Sequence, residues 1–293
     1  MTRLVNITGH IVPSEQALVS AYDHGFLYGD GVYETLRTYG GVPFLLEGHL
    51  KRLRRSADMI RISWADLPVD PAEELRRALV AAGNSESLVR LALTRGSGPF
   101  GYDRTRCQKP NFLVYVEPFE PPSPQLYEEG ATARIVSVRR NPTSALDPHI
   151  KSMNLLNNIL AAMEAFEHGA DEAFMLNLLG NVAESCSANI FIVRDGKVLT
   201  PPLSAGILDG LTRAHLLDLC RQEGIPAEET DFRGEDIHSA EECFVTSTTR
   251  EVMPIARVDG RAVGQGKPGP SSLRLLDLFR ASTSPADGGH ASD

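Results

Sequence analysis

Four prolines within thirteen residues divide this chain in two. The segment PFEPPSPQLYEEG, residues 118–130, carries Pro118, Pro121, Pro122 and Pro124. Proline has no backbone N–H and a fixed φ, so such a run is neither a central strand nor a helix interior. It reads as an interdomain linker, because patterned sequence stops before it and restarts after it. Residues 1–117 then form a small N-terminal domain and residues 131–280 a larger one. ASTSPADGGHASD, residues 281–293, is small and polar and reads as a disordered tail.

Both halves mix strand and helix patterns. Before the linker, LVNI, GHIVP and GGVPFLL read as short strands. Leu50, Leu53, Ala57 and Ile60 recur at helical spacing between Glu47 and Ile60. A second helix over Ala72–Ala82 stops at Gly83–Asn84. LVRLALTR and NFLVYVEP read as neighbouring strands. After the linker come strand ARIVSV, a helix over Asn154–His168 and strand EAFMLNLLG. The hairpin IFIVRDGKVLTPP turns at Asp195-Gly196, a helix covers Thr212–Glu223, and strand ECFVTST follows.

Charge and cysteine usage narrow the function. With 29 Lys plus Arg against 38 Asp plus Glu, the 293-residue chain has a formal charge of −9. That balance argues against nucleic acid or an anionic membrane as the main partner. The scattered Cys107, Cys186, Cys220 and Cys243 form no CxxC pair, which fits a reducing cytoplasm better than a disulfide framework or a zinc ribbon. The N-terminus has no apolar signal region, and no run approaches the 18 apolar residues of a membrane helix. The expectation is a soluble intracellular protein.

Several motifs are tempting singly. GSGPFG at Gly96–Gly101 fits GxGxxG, but Pro99 and YDRTR open no helix, so it reads as a loop and not a dinucleotide turn. The histidines show no HExxH spacing, and no metal site is expected; His49 and His215 read as structural. No GxSxG supports a serine hydrolase. Cys186 reads as an inert thiol. Lys151 stands between a proline-containing turn and a helix, where desolvation can make a lysine a Schiff-base nucleophile, although most lysines are solvated charges. Glu184 lies between strands, where a buried carboxylate would need a cation. DGLTRAHLL opens a helix behind a glycine, a geometry that cradles phosphate in some proteins and binds nothing in many others.

Taken in order, DHGFLYGDGVYETLR, HLKRLRRSA, IKSMNLLNNILA, AESCSANIF, LDGLTR and FVTSTTREVMPI resemble the fold type IV pyridoxal phosphate enzymes over nearly the whole chain. The resemblance implies a mixed α/β (α+β) two-domain fold, a small N-terminal α/β domain and a larger domain with a β-barrel-like core, and pyridoxal 5'-phosphate as cofactor. It implies that Lys151 holds the cofactor as a Schiff base and that Glu184 faces its pyridine nitrogen. Arg52, Leu211, Thr212 and Thr248 would contact the phosphate, and Leu208 would pack on the ring. Tyr28, Tyr33 and Thr249 match substrate-pocket positions, and Arg95, Arg104 and Arg106 are nearby cations available to a substrate α-carboxylate, with a structural role for Arg95 as the equal alternative. These roles are chemically coherent: a carboxylate stabilises the pyridinium electron sink, a freed lysine shuttles the Cα proton, and an arginine fork suits phosphate.

The resemblance further implies a homodimer acting on an amino donor and a 2-oxo acid. Leu155 after KSMN and the TSTTRE segment match the D-amino acid type. The loop TRGSGPFGYDRTRC lacks that type's SPRxH carboxylate trap and is laid out like branched-chain enzymes. The expectation is D-amino acid transamination with 2-oxoglutarate or pyruvate, with branched-chain L-amino acids as the alternative. An (R)-amine transaminase or aminodeoxychorismate lyase would need the same cofactor residues.

Overall fold

The computed structural model describes residues 2–283. The chain forms two compact units. The first takes the residues up to Glu120 and adds Ile150–Asn154; the second takes Pro121–His149 and Leu155–Ser282.

The first unit is a six-stranded sheet covered by helices on one face. In chain order its elements are β1 (Leu4–Ile7), β2 (His10–Pro13), α1 (His24–Tyr28), β3 (Gly31–Tyr39), β4 (Val42–Pro43), α2 (Leu46–Met59), α3 (Pro71–Ala82), β5 (Ser87–Thr94) and β6 (Asn111–Pro118). The strand order is β2-β1-β6-β5-β3-β4, antiparallel throughout. Alternation along β3 buries Val32, Glu34, Leu36 and Thr38 on one face. Val32 and Leu36 join Leu53 and Ala57 of α2, Leu75 and Ala78 of α3, and Leu91 and Val114 in one core. The opposite face carries a smaller cluster that includes Val5, Ala92, Leu113, Tyr33, Tyr115 and Met153.

Helix α3 ends as expected, at Gly83 with φ 60°, and starts one residue before the expected Ala72: Asp70 caps the Glu73 amide and Pro71 occupies the first turn. GGVPFLL does not make a full strand. Only Val42–Pro43 pair, because Leu45 turns left-handed at φ 52° and starts α2. Strand β3, the longest in its sheet, was not expected, because its exposed phase of Tyr, Thr and Arg masks a run containing a buried glutamate.

The second unit is built on a nine-stranded curled sheet. Its elements are α4 (Pro124–Glu128), β7 (Ala131–Ile135), α5 (Leu156–Glu167), β8 (Glu172–Leu176), β9 (Val182–Ser185), β10 (Asn189–Arg194), β11 (Lys197–Thr200), α6 (Leu211–Gln222), β12 (Ala227–Glu229), α7 (Gly234–Ser239), β13 (Glu242–Ser247), β14 (Glu251–Val258), β15 (Arg261–Ala262) and α8 (Pro270–Thr283). The order β12-β11-β10-β13-β14-β7-β8-β9, with β15 beside β14, mixes antiparallel pairs with the parallel pairs β11–β12, β14–β7 and β7–β8. Phe174, Ile190, Ile192, Val245, Ile255 and Ile237 fill the core. Asp195 and Gly196 take φ 52° and 68°, the double left-handed pair that a two-residue hairpin requires.

The proline-rich segment includes one helical turn, α4, with Pro124 in the first turn, where its missing N–H costs nothing. Helix α8 continues through Ala281 to Thr283, beyond the expected end of the large domain at 280. Residues 284–293 of the expected tail lie outside the described residues. Among the described residues no helix is long and apolar enough to cross a membrane, and no cluster of His, Cys, Asp and Glu could hold a metal ion.

Leu36 is fully buried between α2 and the sheet. Leu36→Ala should destabilise the protein by about 2–5 kcal/mol through lost burial and a residual cavity. Denaturant unfolding should show this as a lower midpoint with an unchanged slope.

Candidate active site

Lys151 is held by its backbone while its amine remains unpaired. In the first unit, its N–H donates to Ser56 Oγ of α2 (3.2 Å), and its carbonyl accepts from Tyr33 of β3 (2.9 Å). Ser152 bridges Val32, and Met153 donates to the Gly31 carbonyl. The Ile150–Asn154 segment is thus stitched to the end of β3. The Lys151 side chain is half-buried, its Nζ 4.6 Å from the centroid of the Tyr33 ring, and it makes no ion pair among the described residues. The Arg90 guanidinium, from the neighbouring strand β5, stands 4.1 Å over the same ring. Sequence reading missed Arg90, which looks like an ordinary exposed strand residue.

Arg52 is fixed by a carboxylate that has no access to water. Glu34 is fully buried, and its two oxygens accept from Arg52 Nε and Nη2, both at 2.7 Å. His49 Nδ1 lies 2.7 Å from Glu34 Oε2. Burial alone would raise the Glu34 carboxyl, but the Arg52 charge and hydrogen bonds, joined by His49, outweigh it and hold the pKa at about 2. Burial pushes His49 the other way, downward from its ordinary value, despite the attraction of Glu34. The planar fork of Arg52 is therefore oriented by an ion pair before any ligand arrives. Sequence reading missed Glu34, because strand β3 was not expected and its buried phase meets His49 and Arg52 only once α2 packs on the sheet.

The other expected residues of this unit divide. Tyr28 meets His24 edge-on at 5.0 Å and Tyr102 at 5.5 Å, and its hydroxyl accepts from the Gly101 amide (3.1 Å). It therefore anchors the loop after β5. Arg95 is committed elsewhere: it pairs with both oxygens of Asp30 and donates to the carbonyls of Ile60 and Arg61. Those bonds make it a brace for the DHGFLYGDG segment and leave it poorly suited to grip a substrate. Arg104 and Arg106 sit exposed on a single 3-10 turn capped by Asp103.

The second unit carries a second cluster around Glu184, on β9 and only 5% exposed. Its Oε1 accepts from Arg140 Nε at 2.7 Å; its Oε2 accepts from the Leu208 amide at 2.9 Å and from Asn189 Nδ2 at 3.4 Å. An ionised carboxylate offers about four acceptor sites, so one more donor can be taken. The cation that a buried Glu184 requires is Arg140, which no sequence pattern marks: it is one of a pair of arginines after β7. Asn189 also donates to the Leu208 carbonyl (3.1 Å) and so ties Glu184 to the turn before α6.

That turn leaves backbone donors open at the start of α6. Gly210 is the N-cap of the twelve-residue α6, and no side chain caps the free N–H groups of the first turn, at Leu211 and Thr212. A Cβ at Gly210 would lie 1.9 Å from Asn189 Oδ1, so only glycine allows Asn189 and the helix start to approach each other. Leu208 and Thr248 are half-buried, as is Thr249, which follows Thr248 in the turn between β13 and β14. Cys186, two residues beyond Glu184, has its thiol pushed up by burial and by the Glu172 charge, as befits an inert group.

The first unit thus offers the Lys151 amine and a pre-oriented Arg52, and the second offers a buried carboxylate and an uncapped helix start. Residues 31–258 match the family described as amino-transferase class IV, and the chain belongs to that family of pyridoxal phosphate-dependent enzymes. It is 38% identical, over 94% of its length and 95% of the relative's, to a Methanocaldococcus jannaschii protein provisionally named a branched-chain-amino-acid aminotransferase. It is 31% identical to a D-alanine aminotransferase of Bacillus licheniformis, covering 95% of this chain and 96% of that one. The T.th. branched-chain amino acid aminotransferase, in its structure with pyridoxamine 5'-phosphate, superposes with a TM-score of 0.90 at 28% identity, covering 96% of this chain and 93% of that one. The protein is a class IV aminotransferase that acts on amino acid and 2-oxo acid substrates.

Because the folded Glu34 pKa of about 2 lies below the ordinary value of 4.5, its stabilisation is complete above that ordinary value and is lost as pH falls toward 2. The difference corresponds to roughly 3 kcal/mol. Glu34→Gln should flatten the decline in stability between about pH 4.5 and pH 2. Unfolding midpoints measured across that window check it.

Proposed function

We propose that this aminotransferase moves the amino group between branched-chain L-amino acids and 2-oxoglutarate. The observation that carries the reading is the pairing of Arg90 with Tyr33 beside Lys151, which supplies an exposed cation for a second substrate carboxylate. A dicarboxylate oxo acid uses such a cation and a branched side chain does not, so one side of the exchange is acidic and the other apolar. The commitment of Arg95 to Asp30 supports the same reading, because it removes one of the three arginines that could have replaced the missing SPRxH trap. The 38%-identical relative is named for branched-chain substrates as well.

Residue roles follow from the donor set. Pyridoxal phosphate, when bound, supplies the electron-withdrawing ring that loosens the substrate Cα–H bond. Lys151 would hold the cofactor covalently, and its freed Nζ would move the proton from the substrate Cα to the cofactor C4′. Glu184, fixed by Arg140, Asn189 and the Leu208 amide, would face the pyridine nitrogen and favour its protonated form. Arg52, the Leu211 and Thr212 amides and the Thr248 hydroxyl would hold the phosphate, while Leu208 would pack on the ring. Tyr28, Tyr33 and Thr249 contact the substrate.

A D-amino acid reading has its own support in Leu155, the TSTT segment and the 31%-identical D-alanine relative. Half-reactions followed by cofactor absorbance separate the two. L-leucine and L-valine should convert the enzyme quickly and D-alanine slowly; the reverse order would establish the D-type. Borohydride reduction should place the pyridoxyl mass on the Lys151 peptide, and Lys151→Ala should abolish turnover. A label on Lys109 or Lys197 would overturn the assignment.

The enzyme acts as a homodimer in this reading, and α5 supplies the contact. Leu156, Ile159, Leu160, Met163 and Phe166 recur at helical spacing along α5, and each is 47–62% exposed. Together they bare roughly 500 Å² of apolar surface, more than half of the ~800 Å² that each partner gives a standard interface. A second copy is the partner whose matching stripe is guaranteed. The four free thiols of the chain suit the cytoplasm. Leu160→Asp should sediment as a monomer at assay concentration where the unaltered chain sediments as a dimer; a variant that remains dimeric would remove α5 from the interface.

A further inference from the structure

The turn that bears Thr248 and Thr249 is fastened by an ion pair between a partly exposed arginine and a buried glutamate. Ser247 and Glu251 face each other across β13 and β14, leaving Thr248, Thr249 and Arg250 as the connection. Glu251 has φ 56°, a left-handed conformation that closes a three-residue hairpin loop and that a non-glycine residue adopts at a cost. Three side-chain ties hold it there. Arg280 Nε donates to Glu251 Oε2 (2.7 Å), the Tyr127 hydroxyl donates to the Arg250 carbonyl (3.0 Å), and the Arg250 amide donates to Ser247 Oγ (3.3 Å).

The fourth tie leads toward Glu184. Arg250 Nε lies 2.7 Å from Glu172 Oε1, with the arginine 27% exposed and the glutamate 2%. Glu172 Oε2 accepts from Ser185 Oγ at 2.5 Å, and Ser185 is the residue after Glu184 on β9. Arg250 Nη1 also donates to Ser187 Oγ (3.0 Å), beyond the end of β9. The guanidinium therefore joins the threonine turn to the strand that presents the buried carboxylate.

We propose that Arg250, held by Glu172, is a positioning residue that sets the Thr248–Thr249 turn for the cofactor phosphate. The proposal rests on the reading of Thr248 as a phosphate ligand. A hydroxyl on a three-residue turn is aimed only as well as that turn is fixed, and the guanidinium is its tie to the sheet strands β8 and β9. Burial raises Glu172 more than Arg250 lowers it, so loss of Arg250 can be met by proton uptake at the carboxylate and the fold survives the substitution.

The test titrates the full-length chain, stripped of cofactor, with pyridoxal phosphate and with pyridoxal, which lacks the phosphate. Arg250→Ala should weaken pyridoxal phosphate binding about tenfold and leave pyridoxal binding within twofold. Arg250→Lys should restore part of the loss, since it keeps the charge and loses the fork. Adding Thr248→Val to Arg250→Ala should cost little more than either alone, because both remove the same contact. Should Arg250→Ala fail to fold, Glu172→Gln carries the same comparison, with a smaller loss confined to the phosphorylated ligand. Equal weakening of both ligands would mark Arg250 as merely structural and overturn the proposal. Arg250→Ala with no effect, while Thr248→Val weakens pyridoxal phosphate, would overturn it and leave the phosphate reading standing. Thr248→Val with no effect would end the phosphate reading and the proposal with it.

Discussion

A carboxylate removed from water must be met by donors, and Glu34 shows what that requirement imposes. Fully buried in β3, it draws Arg52 and His49 of α2 onto its two oxygens. The pair fixes the rotation of α2 against the sheet, because its polar groups can face nowhere else without leaving a charge unpaired. Ser56, one turn beyond Arg52 on the same helix, then meets the Lys151 backbone. One buried charge therefore orients the cationic fork and helps to locate the Lys151 backbone. Glu184 repeats the device in the other unit with Arg140, Asn189 and a backbone amide.

Elements governed by local chemistry were legible in the sequence. The Asp195-Gly196 turn, the glycine stop of α3 and the spans of α5 and α6 follow from left-handed glycine positions and helical spacing. Strand β3 was not, since a glutamate in the buried phase and threonine and arginine in the other disguise its alternation. Motifs pointed to Lys151, Glu184, Arg52 and the start of α6 because each is embedded in a distinctive local string. Their partners were hidden for the opposite reason. Arg140 lies 44 residues from Glu184, and Glu34 lies 18 from Arg52. The pairs form only when the sheets assemble, and no periodicity reaches across such gaps.

Substrate choice shows the same division. The loop after β5 looked like a source of arginines for a carboxylate, and by composition it is. In the folded chain Arg95 is used to brace Asp30, while Arg104 and Arg106 lie on an exposed turn. The cation that shares the Tyr33 ring with Lys151 is Arg90, on a regular strand, where its neighbours do not single it out. Charge is easily counted in a sequence; which charges are already spent is a property of the fold.

The path of the backbone has a consequence for how this chain can be divided. Residues 150–154 belong to the first unit, although the sequence on either side of them belongs to the second. The segment that carries the lysine is therefore an inserted strap, entered and left by the chain within five residues. No single cut separates the units with their chemistry intact. A fragment ending at the prolines would lose the strap from the edge of β3, and a fragment beginning there would carry it with nothing to pair against. Recombination between relatives at the proline-rich segment would likewise pair one parent's β3 and α2 with the other parent's lysine strap. The contacts at Ser56, Tyr33 and Gly31 are thus places where such a chimera has to match.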